Sequence, residues 1–160
     1  MLSLSQTTGY AIEALAHLNP PGGEPLLLRD VAQRARVPGA YLAKRMPELV
    51  AAGLVLSRRG QRGGLVLARP PAEITLLQIS EAVEARRWLD GCLLGLSSCS
   101  DERACPVHEF WKPVRARIEK TLRTTTLASV IAHEVRQKTR EAEDIGPRRA
   151  ARPRSTRTAD

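Results

Sequence analysis

Hydrophobic residues recur at intervals of three and four along most of the chain, which predicts a mainly helical protein. The first stretch puts Ala11, Ile12, Leu15, Ala16 and Leu18 on one face, with Thr7 or Thr8 as its N-cap. It stops at Asn19-Pro20-Pro21-Gly22-Gly23, a turn no helix crosses. Two shorter patterns follow. Leu28, Val31, Ala32 and Ala35 share a face, Val37-Pro38-Gly39 breaks the run, and Tyr41, Leu42, Met46, Leu49 and Val50 resume it. Helix, short Gly-containing turn, helix is the layout of a helix-turn-helix. Its second helix carries Ala40, Ala43, Lys44 and Arg45 on the face expected to be exposed, and Pro47 is expected to bend or shorten it.

The pattern then changes period. Leu54–Leu56 and Leu65–Leu67 read as two apolar strands around a basic, Gly-rich turn. A hairpin directly after a helix-turn-helix is a wing, and its tip holds Arg58, Arg59 and Arg62. Thr75 and Gln78 form a capping box before a helix with Leu76, Leu77, Ile79 and Val83 apolar. Residues 86–91 are transitional, with Trp88 a packing residue. A long helix is expected from about Pro106, on which Trp111, Val114, Ile118 and Leu122 make a narrow seam of the kind that pairs helices. With little of its own chain to cover that seam, a homodimer is favoured over packing on its own domain. Thr124, Thr125 and Thr126 interrupt this helix, and Thr126 caps a short one from Leu127 to about Arg136. The fold class is thus mostly α with a small β-hairpin wing: a winged helix-turn-helix over 1–85, a cysteine loop over 86–108, dimerisation helices over 106–140, and a disordered basic tail over 141–160.

Charge narrows the partner. The 160 residues carry a formal charge of +8, which favours a polyanion, and 3% aromatic residues are too few for a single-strand stacking platform. Duplex DNA fits best. The exposed cations of the second helix and of the wing tip could each be a solvated surface, but three arginines within five residues of a hairpin tip make solubility the weaker account. An arginine on such a tip suits the minor groove, and the second helix suits the major groove. Nothing resembles a nucleophile–base pair or a phosphate loop, so no enzyme is expected. No apolar run spans a membrane and the opening MLSLSQTTGY has no secretory pattern, so a cytoplasmic protein is expected.

All three cysteines, Cys92, Cys99 and Cys105, fall within seventeen residues ending at His108. In a reducing cytosol such a cluster reads as metal ligands and not as a disulfide framework. With Pro106 at the first helical position, His108 would share a face with Cys105. Three thiolates and an imidazole suit a zinc site or an iron–sulfur site; the spacing, six residues and then five, is not the paired C-x-x-C of zinc ribbons and leans towards iron–sulfur. Three ordinary thiols, and a His108 packed against Trp111 or Lys112, are the plain alternatives.

TTGYAIEAL, AYLAKRM, GLVLSRRGQRGGLVLAR and the cysteine loop ending CPVH together resemble the IscR/NsrR-type family of winged-helix iron–sulfur transcription regulators, over roughly residues 1–135. The resemblance implies an iron–sulfur cluster, two-iron favoured and four-iron possible, held by Cys92, Cys99 and Cys105. It puts His108 where IscR-like members have their fourth ligand. NsrR-like members draw an acid from near the first helix, where this chain has Thr8. The family's reading helix and wing match Tyr41, Lys44, Arg45 and Arg59. Ala43 and Lys44 replace the acid and amide of IscR, so the operator need not be the one IscR reads. The first two cysteines are also one residue further apart than in the family. The expectation is therefore a homodimeric regulator on a palindromic operator, sensing iron–sulfur, redox or nitric oxide status, with no small-molecule substrate. A structural zinc site and an electron-transfer protein are the rivals.

Overall fold

The computed structural model describes residues 4–60, 62–84, 91–95 and 100–144. Cys99, Trp88 and the basic tail from residue 145 lie outside them. Among the described residues, six α-helices and one two-stranded sheet run in the order α1 (Gln6–Ala16), α2 (Leu28–Ala35), α3 (Gly39–Ala51), β1 (Val55–Arg58), β2 (Gly64–Leu67), α4 (Leu76–Glu84), α5 (His108–Thr124) and α6 (Leu127–Asp144). Short 3₁₀ turns at Pro71–Glu73 and Asp101–Arg103 precede α4 and α5.

The apolar faces predicted for α1 to α4 meet in one core. Leu15, Val31, Leu42, Leu49, Leu54, Leu67, Ile74 and Ile79 are all buried there. Ser5, not Thr7 or Thr8, caps α1, its hydroxyl accepting from the Thr8 amide at 3.3 Å. Thr8 is fully buried one turn inside the helix and donates to Glu84 Oε1 at 2.7 Å; Ser5 donates to the same oxygen. The capping box forms as expected: Gln78 Oε1 accepts from the Thr75 amide at 3.0 Å, and Thr75 Oγ1 from the Gln78 amide at 3.2 Å.

Helix α3 runs unbroken through Pro47 for 13 residues, correcting the expectation of a shortened helix. Proline leaves the Ala43 carbonyl without its helical donor, but both residues are exposed, which leaves that group open to solvent, while Leu42, Met46 and Leu49 hold the buried side. The turn into α3 starts at Arg36, which lies in the left-handed region at φ 53°, ψ 37°. That conformation costs a non-glycine residue about 1–2 kcal/mol, against about 0.4–1 kcal/mol for a glycine's extra freedom when unfolded. Arg36→Gly should therefore raise stability by about 0.5–1 kcal/mol in urea denaturation; a fall would mean that the arginine side chain outweighs the strain.

In the wing, Val55 pairs with Leu67, Leu56 with Val66, Ser57 with Leu65 and Arg58 with Gly64, antiparallel. Both strands extend one or two residues closer to the tip than predicted. The other edge of β2 bonds to the chain before α2, where Leu26 and Leu65 exchange amide–carbonyl bonds of 3.0 and 2.8 Å. At Gly64 a Cβ would lie 2.7 Å from the Leu26 carbonyl oxygen, so this crossing requires glycine.

The last two helices differ most from expectation. Helix α5 begins at His108, not Pro106; Cys105 to His108 form the turn before it, with the His108 amide donating to the Cys105 carbonyl at 2.9 Å. The chain first closes this separate turn, and the helix starts once it has passed it. After α5, Thr75 and Thr126 bridge antiparallel, with Leu76 N–H bonded to Thr125 O at 3.0 Å and Leu127 N–H to Ile74 O at 2.8 Å. Thr126 caps α6, as expected, accepting from the Ser129 amide at 3.3 Å. Helix α6 then runs to Asp144, past both the Arg136 end and the 141 boundary of the tail. Among the added residues Gln137, Lys138, Arg140, Glu141 and Ala142 are strong helix formers, and none is a breaker. Leu127 is fully buried in the main core, with Val130 and Ile131 packed on it, so α6 belongs to the winged unit.

Candidate functional site

Two regions gather the side chains singled out from the sequence. In the first, α3 and the wing flank a groove of about 580 Å³ floored by Met46, Val50 and Leu65. Lys44 is exposed on α3 beside Ala40 and Ala43, and Arg58, Arg59 and Arg62 are exposed on the wing. Arg45 is not on that open face. Its side chain is 26% exposed, and its Nη1 donates to both Glu48 carboxylate oxygens, at 2.8 and 3.1 Å. Its guanidinium lies 6.0 Å from the centre of the Tyr41 ring. Tyr41 in turn meets Tyr10 of α1 edge-on, ring centres 5.2 Å apart, so both tyrosines pack inward. Each helical residue turns the side chain by about 100°, which carries Arg45 from the face of Lys44 to the flank shared by Tyr41 and Glu48. Glu48 escaped the sequence reading; an acid three residues beyond an arginine on a helix is the signal that could have found it.

In the second region, Cys92 is buried and Cys105 half-buried, with their sulfurs 3.8 Å apart and no disulfide between them. Two ligand sulfurs on one tetrahedral ion, with bonds of about 2.3 Å, sit about 3.8 Å apart. The thiols therefore have the separation of neighbouring ligands before any metal is bound. His108 opens α5, buried at 2% exposure, and its Nε2 lies 2.9 Å from Asp101 Oδ1. Lys112, one turn along α5, donates to the same carboxylate at 2.7 and 2.8 Å. Lys112 first and His108 second hold the Asp101 carboxyl below its ordinary range, so it stays an anion. A carboxylate at hydrogen-bond distance from a histidine ring nitrogen is the contact made by a carboxylate–histidine pair behind a metal. Asp101 also escaped the sequence reading, although an acid seven residues before a histidine in a cysteine loop is a visible cue.

The segment is tied to the fold on both sides. Trp111 Nε1 donates to the Gly91 carbonyl at 3.0 Å, fixing the start of the cysteine stretch to α5. On the other side Glu84, the last residue of α4, is clasped by Ser5 and Thr8 of α1. The predicted helix-pairing seam divides. Trp111 and Leu122 are buried by their own chain, Leu122 against Leu77, while Val114 and Ile118 stay half-buried. Val114, Ile118 and Leu122 line an open apolar groove of about 440 Å³ with Arg117 and Thr121.

A helix-turn-helix, a wing stitched to the strand before it and a helical arm behind them have known counterparts. The family model Rrf2, described as an iron-dependent transcriptional regulator, matches residues 4–133. The chain belongs to the Rrf2 family. Among Rrf2-type relatives, the transcriptional regulator IscR of Cereibacter sphaeroides is 32% identical over 142 residues, covering 84% of this chain and 90% of that protein. The structure of CymR, the global cysteine regulator of B. subtilis, superposes with a TM-score of 0.67 at 27% identity, over 83% of this chain and 98% of its own. IscR of T. potens gives 0.60 at 25% identity, over 93% and 94%. This Rrf2 protein is accordingly a DNA-binding transcription regulator with a winged-helix fold, not an enzyme. No helix among its described residues is long and apolar enough to cross a membrane.

Proposed function

We propose that this chain is a cytoplasmic, homodimeric regulator that reads a palindromic operator and senses iron–sulfur, redox or nitric oxide status through a cluster held by Cys92, Cys99, Cys105 and His108. The observation that carries the reading is the pair of thiols 3.8 Å apart beside a buried histidine backed by a carboxylate. A two-iron centre is favoured because three thiolates and one imidazole make a mixed donor set. Such a centre supplies a redox-labile link among these side chains. The protein's own part is mechanical. Cys92 follows Gly91, which is bonded to Trp111, and Cys105 leads directly into α5. Holding the thiols at that separation therefore fixes the start of α5, and through α5 the spacing of two reading heads in a dimer. DNA affinity follows from that spacing as a linkage between two sites.

The test is anaerobic purification with iron, sulfide and zinc analysis. Coloured protein with iron and acid-labile sulfide is expected, and Cys92→Ala, Cys99→Ala and Cys105→Ala should each remove the colour. Colourless protein with one zinc per chain would replace the cluster by a structural zinc site, which the 3.8 Å separation fits equally.

A further inference from the structure

Away from the cysteines, α1 and α6 bring an imidazole and two carboxylates to one place. Glu13 and His17 stand one turn apart on α1 and so share a face, and Glu134 reaches them from α6. One ligand atom from each of the three lies within 4.8 Å of the other two. We propose that Glu13, His17 and Glu134 form a binding site for a divalent first-row cation, a second metal site that braces α6 against α1.

The donor set argues for this class of ion. One nitrogen and two carboxylate oxygens, without thiolate, suit manganese, ferrous iron or zinc. Bonds of about 2.0–2.2 Å to such donors put ligand atoms up to roughly 4.3 Å apart, so atoms lying within 4.8 Å of one another need move by no more than about half an ångström to share an ion. The electrostatics agree. The Glu13 and Glu134 carboxylates face each other from α1 and α6, with His17 beside them. Two carboxylates in that contact need a proton or a cation between them. A divalent ion would supply that charge. Helix α6 follows the α5 arm and is packed on α1, so occupancy would set how firmly the arm is tied to the winged unit. The inference does not depend on the cluster reading, because none of its ligands is shared with it.

Manganese is the suitable probe, because it prefers oxygen and nitrogen to thiolate. Titrated into the full-length protein and followed by the electron paramagnetic resonance signal of free manganese, one ion should bind per chain. At a hundredfold excess over the dissociation constant the melting temperature should rise by about 5–10 °C. Glu13→Gln, His17→Ala and Glu134→Gln should each weaken binding at least about tenfold while keeping the melting temperature that the wild type shows in EDTA; Cys92→Ser and Cys105→Ser should leave binding unchanged. A second readout uses wild-type protein alone: of the three histidines, His17 should lose its proton resonances first and His108 last. Absence of saturable binding, binding that survives all three ligand changes, binding lost with the cysteines, or broadening that begins at His108 would each overturn the site.

Discussion

Ile118→Asp should convert the proposed homodimer to a monomer. The reason lies in how the α5 seam is divided. Trp111 and Leu122 are buried by their own chain, whereas Val114 and Ile118 remain half-buried beside an open apolar groove of about 440 Å³. A second copy of α5 would cover that groove, and a carboxylate at position 118 would then be buried without a partner. Such a charge costs about 3–5 kcal/mol, or roughly 10²–10⁴-fold in the dimer dissociation constant. Loss of the dimer also separates the two reading heads, so affinity for a palindromic site should fall much further than affinity for a half-site. Sedimentation velocity decides the point. A dimer that survives the substitution would move the interface off this groove.

The second large effect is expected at the wing. Arg59 stands exposed at the tip, where Gly60 at φ 104° turns the backbone sharply. Arg59→Ala should remove about 1–3 kcal/mol of discrimination between operator and random duplex if the arginine reads base edges. Lys44→Ala should act similarly from α3. Arg45→Ala should cost less than Arg59→Ala, because Arg45 must first give up the two bonds to Glu48. Anisotropy titrations across a salt series separate the roles, since loss of a phosphate contact weakens every sequence alike and flattens the salt slope by about 0.9. Equal losses on both duplexes would make these residues phosphate anchors, and no loss on either would remove the wing from the interface.

Much of this architecture was legible in the sequence where a local pattern decides the outcome. The Thr75–Gln78 box and the Thr126 cap are two-residue devices whose partners lie three positions away, and both form as read. The wing was legible because a switch from helical to alternating spacing around glycines has few other solutions. The misses share a different cause. Ser5 was preferred to Thr7 and Thr8 because Thr8 is needed inside, bonded to Glu84 seventy-six positions away. Arg45 left the open face because one helical step from Lys44 carries it to the flank of Tyr41 and Glu48, and the sequence reading placed both cations on one face. Helix α6 outran its predicted end because its polar residues are good helix formers, and polarity alone was read as disorder. At the cysteine segment the residue types were legible, but the 3.8 Å approach of Cys92 to Cys105 and the Asp101 backing of His108 come from the turns that fold the segment onto α5.

The bridge between Thr75 and Thr126 has a consequence for how the protein is made. The core of the winged unit contains Leu127, with Val130 and Ile131 packed against it, so Ile74 and its neighbours are not covered until α6 exists. At synthesis rates of about 5–20 residues per second, the stretch from Glu84 to Ile131 takes roughly 2–10 s to elongate. Throughout that interval the nascent reading head lacks part of its interior, and all three cysteines are added within it, ahead of Leu127. The chain order thus places the sensor segment before the residues that close the DNA-reading unit, and a half-made chain holds the cysteines before it holds a finished reading head.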